Sequence, residues 1–174
     1  MENRLKVGVI GATGMVGQRF LLLLENHPYF EVTALMASAS SAGKKYAEAM
    51  EGRWKMSCDI PECYRDMTIL DAADIENNKK LFGMVFCAVN MKKEDILALE
   101  EGYAKAEIPV VSNNSANRKT PDVPMVLPEI NPEHLEIIKA QRERLGTKKG
   151  FIAVKPNCSI QSYVPMLPPL LKYK

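Results

Sequence analysis

The chain is predicted to fold as an α/β protein, a doubly wound and mostly parallel sheet with helices packed on both faces. Three observations predict this. Short apolar runs of strand length alternate with helical patterns along the chain. The first run ends in Gly11-Ala12-Thr13-Gly14-Met15-Val16-Gly17, a glycine-spaced turn that leads directly into a helical pattern. With 174 residues, 47% of them hydrophobic, there is enough chain to bury one core beneath such layers.

Leu5 to Ile10 is the first strand, and Met15 to Asn26 has helical apolar spacing with Phe20, Leu21 and Leu24 on one side. Phe30 to Ala37 is the second strand, ended by the polar stretch from Ser38 to Lys45. From Tyr46 to Cys63 neither period is sustained, and the segment is expected to be an excursion from the sheet. Met67 to Leu70 and Met84 to Val89 are further strands, with a polar helical segment from Asp71 to Lys80 between them. Lys93 to Ala106 is a helix with Ile96, Leu97 and Leu99 as apolar positions, and Ile108 to Val111 is the strand after it. A helix is predicted from Pro132, in the first helical position after Asn131, to Leu145, with Gly146 closing it. Phe151 to Val154 is then the strand that leads toward Cys158. There is no internal repeat and no low-complexity segment.

Composition excludes several classes of partner. The net charge is +2, and the 23 basic residues are interleaved with 21 acidic ones, so no basic stripe points to nucleic acid. No apolar stretch reaches membrane-spanning length, and the start of the chain lacks a signal-peptide pattern, which makes the cytoplasm the expected compartment. Cys58, Cys63, Cys87 and Cys158 show no C-x-x-C pairing, and His27 and His134 lie far from them, so neither a metal site nor a disulfide framework is expected.

Between a strand and a helix, the glycine turn reads as a Rossmann-like dinucleotide site. Gly11 would make the tight turn, Gly14 would admit a pyrophosphate, and Gly17 would let helix and strand approach. The spacing is G-x-x-G-x-x-G instead of G-x-G-x-x-G, and a loop whose glycines serve only its own geometry is the alternative. Cofactor choice depends on the end of the second strand, where an acid would bind a ribose 2′-hydroxyl and repel a 2′-phosphate. Ala37-Ser38-Ala39-Ser40-Ser41-Ala42-Gly43-Lys44-Lys45 contains no acid, and its hydroxyls and two ammonium groups suit NADP; an ordinary solvated loop is the competing reading.

Two more segments carry chemistry. Val154-Lys155-Pro156-Asn157-Cys158-Ser159 places a cysteine where a strand gives way to a helix, and helix amides stabilise the thiolate that attacks carbonyl carbon. The bland alternative is a buried cysteine without chemistry. Ser112-Asn113-Asn114-Ser115-Ala116-Asn117-Arg118 groups amides and hydroxyls beside one guanidinium, a planar fork for phosphate or carboxylate; alone it would read as a polar turn.

Taken together in this order, the glycine turn, the Ser40-Ser41-Ala42-Gly43-Lys44 loop, the Asn113 to Arg118 segment with its proline-rich continuation, and Pro156-Asn157-Cys158-Ser159 resemble aspartate-semialdehyde dehydrogenase, in its archaeal and fungal branch. The resemblance covers essentially the whole chain. It implies NADPH-dependent reductive dephosphorylation of L-aspartyl 4-phosphate to L-aspartate 4-semialdehyde, on the route to lysine, threonine and methionine. It implies Cys158 as the nucleophile that forms a thioester, and Arg118 and Asn157 as phosphate and substrate contacts. Cofactor contacts are implied at Gly11, Ala12, Thr13, Gly14, Met15, Val16, Ser38, Ser40, Ser41, Lys44, Ala88, Asn114 and Ser115, with Asn113 as a further weak assignment around the cofactor and phosphate.

In that reading residues 1–155 form the NADP-binding domain and 156–174 begin the catalytic domain. Members of the family continue through a second domain that supplies a histidine acid/base, an arginine for the substrate carboxylate and the main dimer surface. Neither His27 nor His134 lies in a matching motif, so the chain is expected to be an amino-terminal cofactor-binding part with little turnover alone. A homodimer or homotetramer is expected of the full-length family member. Two competing readings are a related acyl-CoA reductase of the malonyl-CoA type and a non-catalytic NADP-binding sensor. None of Tyr29, Tyr46, Tyr64, Tyr103 and Tyr163 has a lysine four residues on, which disfavours a short-chain dehydrogenase version of the sensor.

Overall fold

The computed structural model describes residues 4–173. Its centre is a sheet of six parallel strands in the order β3-β2-β1-β4-β5-β6. The strands are β1 (Leu5–Ile10), β2 (Phe30–Ala37), β3 (Ile69–Asp71), β4 (Met84–Cys87), β5 (Val110–Ser112) and β6 (Ile152–Val154). The helices, in chain order, are α1 (Met15–Leu24), α2 (Tyr46–Ala49), α3 (Glu62–Arg65), α4 (Ile75–Asn78), α5 (Lys93–Lys105), α6 (Ile138–Leu145) and α7 (Cys158–Gln161).

Strand alternation divides the core into two. Val9, Leu35 and Ile69 pack with Leu21 and Leu24 of α1 and with Tyr46 and Met50. Their neighbours Ile10, Ala34 and Met36 point the other way, and join Leu99 and Tyr103 of α5, Leu145 of α6 and Ile152. Both faces of the sheet are therefore covered, as the predicted fold requires.

Several predicted elements are corrected in detail. The first helix ends at Leu24 and not Asn26, because Asn26 takes a left-handed φ of 55°. The helix expected over 71–80 shrinks to four residues, with Asp71 in β3. The 132–145 helix is a 3₁₀ segment over Pro132–Ile137 with no buried residue, and becomes α-helical only where Gln141 and Leu145 can be buried. Its predicted stop is borne out: Gly146 caps it at φ 70°. The 46–63 segment does leave the sheet, as expected, and carries the short helix α2 and the start of α3. Tyr46 is fully buried, and its hydroxyl donates to the Ala12 carbonyl at 2.8 Å. Burial pushes that phenol's pKa upward. Beyond α7 the chain continues as 3₁₀ turns over Val164–Met166 and Pro168–Tyr173, because prolines break an α-helical ladder.

Among the described residues, no helix is long and apolar enough to cross a membrane, and no cluster of three or more His, Cys, Asp or Glu residues could hold a metal ion. His27 Nδ1 accepts the Tyr29 and Phe30 amides, and His134 Nδ1 lies 2.8 Å from Asn131 Nδ2, so both rings brace local turns.

Candidate active site

Parallel register brings separate parts of the chain to one edge. Ile10 pairs with Met36 and Cys87, Ala37 with Asp71, Cys87 with Ser112, and Ser112 with Val154. The residues just beyond these, Gly11, Ser38, Ala72, Ala88, Asn113 and Lys155, leave the sheet at its carboxyl edge. Between β1 and β4 the strand order reverses, and such a reversal opens a crevice where ligands of this fold class bind. A cavity of about 630 Å³ lies there, lined by Gly11, Thr13, Gly14, Met15, Val16, Ser38, Ala88 and Asn113 among others.

The glycine turn is built for this position. Gly11 has φ 86°, and a Cβ there would collide with the Ala88 carbonyl. A Cβ on Gly17 would strike the Gly11 carbonyl, so Gly17 lets α1 sit against the turn. Gly14 differs. A Cβ there would meet nothing closer than 3.4 Å, so protein packing does not require a glycine, and the open side faces the cavity. The start of α1 has neither a side-chain cap nor an acidic residue in its first turn, which leaves amides and the positive dipole end free for an anion. A dinucleotide fits these residues: the cavity volume, the uncapped helix start and the unfilled space at Gly14 all suit one.

The other predicted cofactor residues divide. Ser38 and Ala88 line the cavity; Ala12 is buried and offers its carbonyl to Tyr46. Ser40, Ser41 and Lys44 are not in the cavity wall, because the 38–44 loop folds back on itself as the Ser41 and Ala42 amides donate to the Ser38 carbonyl; Ser115 is outside the wall as well. Asn114 is buried, and its amide donates to Glu100 and Cys87 instead of facing the cavity; Asn113 lines it instead. Among the wall residues that the sequence did not single out, two are charged. Arg53 arrives from the excursion, whose poor pattern carried no signal. Asp71 is brought beside Ala37 by strand pairing, so an acid does reach the end of β2 although β2 itself supplies none.

Cys158 opens α7 and is exposed. Asn157 caps that helix by accepting the Ser159 amide on Oδ1 at 2.8 Å, and this oxygen lies 3.7 Å from the Cys158 sulfur. Arg118 donates through Nε to the Lys155 carbonyl at 3.1 Å and through Nη2 to the Pro156 carbonyl at 3.3 Å. The Lys155 amide donates to Ser112 at 3.0 Å, one residue before the cavity-lining Asn113. Arg118, Asn157 and Cys158 are thus grouped just past the carboxyl end of β6, outside the cavity wall itself.

Beneath this group is a buried carboxylate not singled out from sequence. Glu100, 1% exposed, accepts from Ser112 Oγ at 2.5 Å, Asn114 Nδ2 at 2.9 Å and Asn117 Nδ2 at 2.7 Å. Cys87 is fully buried, and burial, then the Glu100 charge, pushes its thiol pKa upward, away from the thiolate form. A signal for Glu100 existed: it shares the apolar stripe of α5 with Ile96, Leu99, Tyr103 and Ala104.

Residues 6–138 match the protein family described as semialdehyde dehydrogenase, NAD binding domain. The chain belongs to this semialdehyde dehydrogenase family. It is 43% identical over 164 residues to the aspartate-semialdehyde dehydrogenase of Methanothermobacter thermautotrophicus, a match that covers 94% of the chain and 45% of that relative. With the Aspergillus fumigatus enzyme it shares 44% identity over 156 residues, 89% of the chain and 41% of the relative. A crystal structure of the Candida albicans aspartate-semialdehyde dehydrogenase with NADP superposes with a TM-score of 0.84 at 39% identity, and covers 98% of the chain and 48% of that protein. The chain therefore spans about half the length of the curated relatives it matches. These names leave the acyl-CoA reductase and sensor readings without a supporting observation.

Proposed function

We propose that residues 1–155 are the NADP-binding domain, and 156–174 the start of the catalytic domain, of an aspartate-semialdehyde dehydrogenase. The reaction is NADPH-dependent conversion of L-aspartyl 4-phosphate to L-aspartate 4-semialdehyde and phosphate, a small-molecule step of amino-acid biosynthesis in the cytoplasm. The observation that carries this reading is the Lys155–Ser112 hydrogen bond, which puts the segment before an exposed, helix-opening cysteine next to the cavity-lining Asn113.

Cys158 attacks the acyl carbon, phosphate leaves, and the substrate is held as a thioester. Asn157 has already committed Oδ1 to Ser159, so its Nδ2 is the group left to donate to the acyl oxygen. Arg118 uses Nε and Nη2 on carbonyls, which leaves Nη1 for the phosphate. Gly11, Thr13, Gly14, Met15 and Val16 hold the dinucleotide at the start of α1, with Ser38 and Ala88 in the same wall. When bound, NADPH supplies the hydride that reduces the thioester to the aldehyde. A histidine acid/base and an arginine for the substrate carboxylate belong, in this reading, to the second half of the relatives' length, as does the surface of a homodimer or homotetramer.

Incubating the chain with the aldehyde and NADP, and without phosphate as acyl acceptor, tests it. An acyl adduct on Cys158, detected by mass spectrometry, is expected in the native chain and absent in Cys158→Ser, with NADPH binding unchanged. An adduct that persists in Cys158→Ser removes the mechanism.

A further inference from the structure

Arg53 is the single cationic side chain in the wall of the dinucleotide cavity, among the described residues. We propose that Arg53, rather than Lys44 or Lys45, grips the 2′-phosphate and sets the preference for NADPH over NADH. The inference rests on the dinucleotide reading above.

Three observations support it. First, the lysines of the 38–45 loop are elsewhere. Lys45 spends its ammonium on the Asp66 carbonyl at 2.7 Å, and Lys44 is outside the wall. Second, Arg53 is built in place. Gln18 on α1, only 2% exposed, donates from Nε2 to both the Thr13 and the Arg53 carbonyls at 3.2 Å and accepts the Lys55 amide on Oε1 at 2.8 Å. One buried amide thus ties the backbone of Arg53 to the glycine turn, while Tyr46 anchors the preceding helix to Ala12. Third, the guanidinium is available. It forms no ion pair among the described residues, and its one hydrogen bond, from Nη1 to the Ala49 carbonyl, is long at 3.5 Å.

Asp71 is the other charged residue in the wall, and with Ala37 and Ser38 it marks the end of β2 where the adenosine ribose is held in this fold class. A carboxylate there disfavours a 2′-phosphate unless a cation offsets it. Asp71 Oδ1 accepts the Ala73 amide at 3.0 Å, and Arg53 is the cation at hand.

The experiment titrates NADPH and NADH separately into the chain and into Arg53→Ala and Arg53→Lys, with nicotinamide fluorescence as readout and circular dichroism as a check on folding. Arg53→Ala is expected to weaken NADPH on the order of tenfold to a hundredfold, the loss of one charge-assisted contact, with NADH affinity unchanged. Arg53→Lys should recover part of the difference. Equal weakening of both nucleotides would assign Arg53 to the pyrophosphate and overturn the proposal; no change in either would also overturn it. If the native chain binds neither nucleotide, the dinucleotide reading itself falls, an outcome distinct from the other two.

Discussion

Glu100→Gln is the most informative perturbation of the scaffold beneath the site. Glutamine keeps the volume but replaces one acceptor oxygen with a donor. Glu100 Oε1 serves both Ser112 and Asn114, and Oε2 serves Asn117. If the glutamine oxygen stays toward Ser112 and Asn114, its NH2 faces the Asn117 NH2. Asn117 cannot flip to accept without cost, because its Oδ1 already accepts from Thr120 Oγ1 at 3.0 Å. The variant therefore takes the charge out of all three bonds, breaks the one to Asn117 and leaves a buried donor unmet, a cost of about 2–3 kcal/mol. For a chain of this length that corresponds to a Tm lower by about 4–12 °C. Urea unfolding followed by circular dichroism measures it. A loss below about 0.5 kcal/mol, the range of ordinary surface substitutions, would refute the claim that the network is load-sharing and fully satisfied.

Two further predictions use the same geometry. Gly11→Ala and Gly14→Ala should separate: the first forces a Cβ into the Ala88 carbonyl at positive φ and destabilises the fold by about 2 kcal/mol or more, whereas the second leaves stability within about 1 kcal/mol and weakens NADPH binding. Urea unfolding paired with nucleotide titration reads both, and a fold-destabilising Gly14→Ala with intact binding would contradict the ligand role. Glu107 accepts the amides of Lys148, Lys149 and Gly150, which holds its carboxyl down at about 2 against the usual 4.5. A depressed carboxyl stabilises the fold above its unfolded pKa and loses that contribution as pH falls from there toward about 2. The stability advantage over Glu107→Gln should therefore be constant at neutral pH and shrink across that acid window; an advantage that stays flat through it would show that the carboxylate is not responsible.

What the sequence made legible followed from local chemistry. Leu5–Ile10 and Phe30–Ala37 match the predicted strands to the residue, because each is a run bounded by a strong stop, the glycine turn or the serine loop. Polar segments were less legible. The 71–80 stretch lacks an apolar stripe, and tertiary packing leaves it only one helical turn. Residues that depend on pairing were hidden altogether: Asp71 reaches the cavity through its register with Ala37, and Arg53 through a side-chain tie from Gln18. Neither relation has a sequence period. Glu100 was readable and missed, since a charged residue on an apolar helix stripe signals a buried partner set.

The position of Cys158 follows from the same kind of long-range tie. β6 is three residues long and lies at the sheet edge, so its ladder alone would hold it weakly. Side chains from three other segments fasten it in turn. Glu107 holds the turn at 148–150, Gln141 takes both the amide and the carbonyl of Ile152 at 2.6 and 2.9 Å, and Arg118 holds the carbonyls of Lys155 and Pro156. The proline-rich segment closes the outer edge, where the Val126 amide donates to Val154 and the Val154 amide to Pro124. Each clamp acts on backbone, so the identity of the β6 side chains matters less to the site than these three polar residues. Arg118 is the only one of them that also reaches the reacting edge. Its removal should disturb the approach of α7 as well as the phosphate recognition proposed for it, whereas loss of Gln141 should disturb the approach alone.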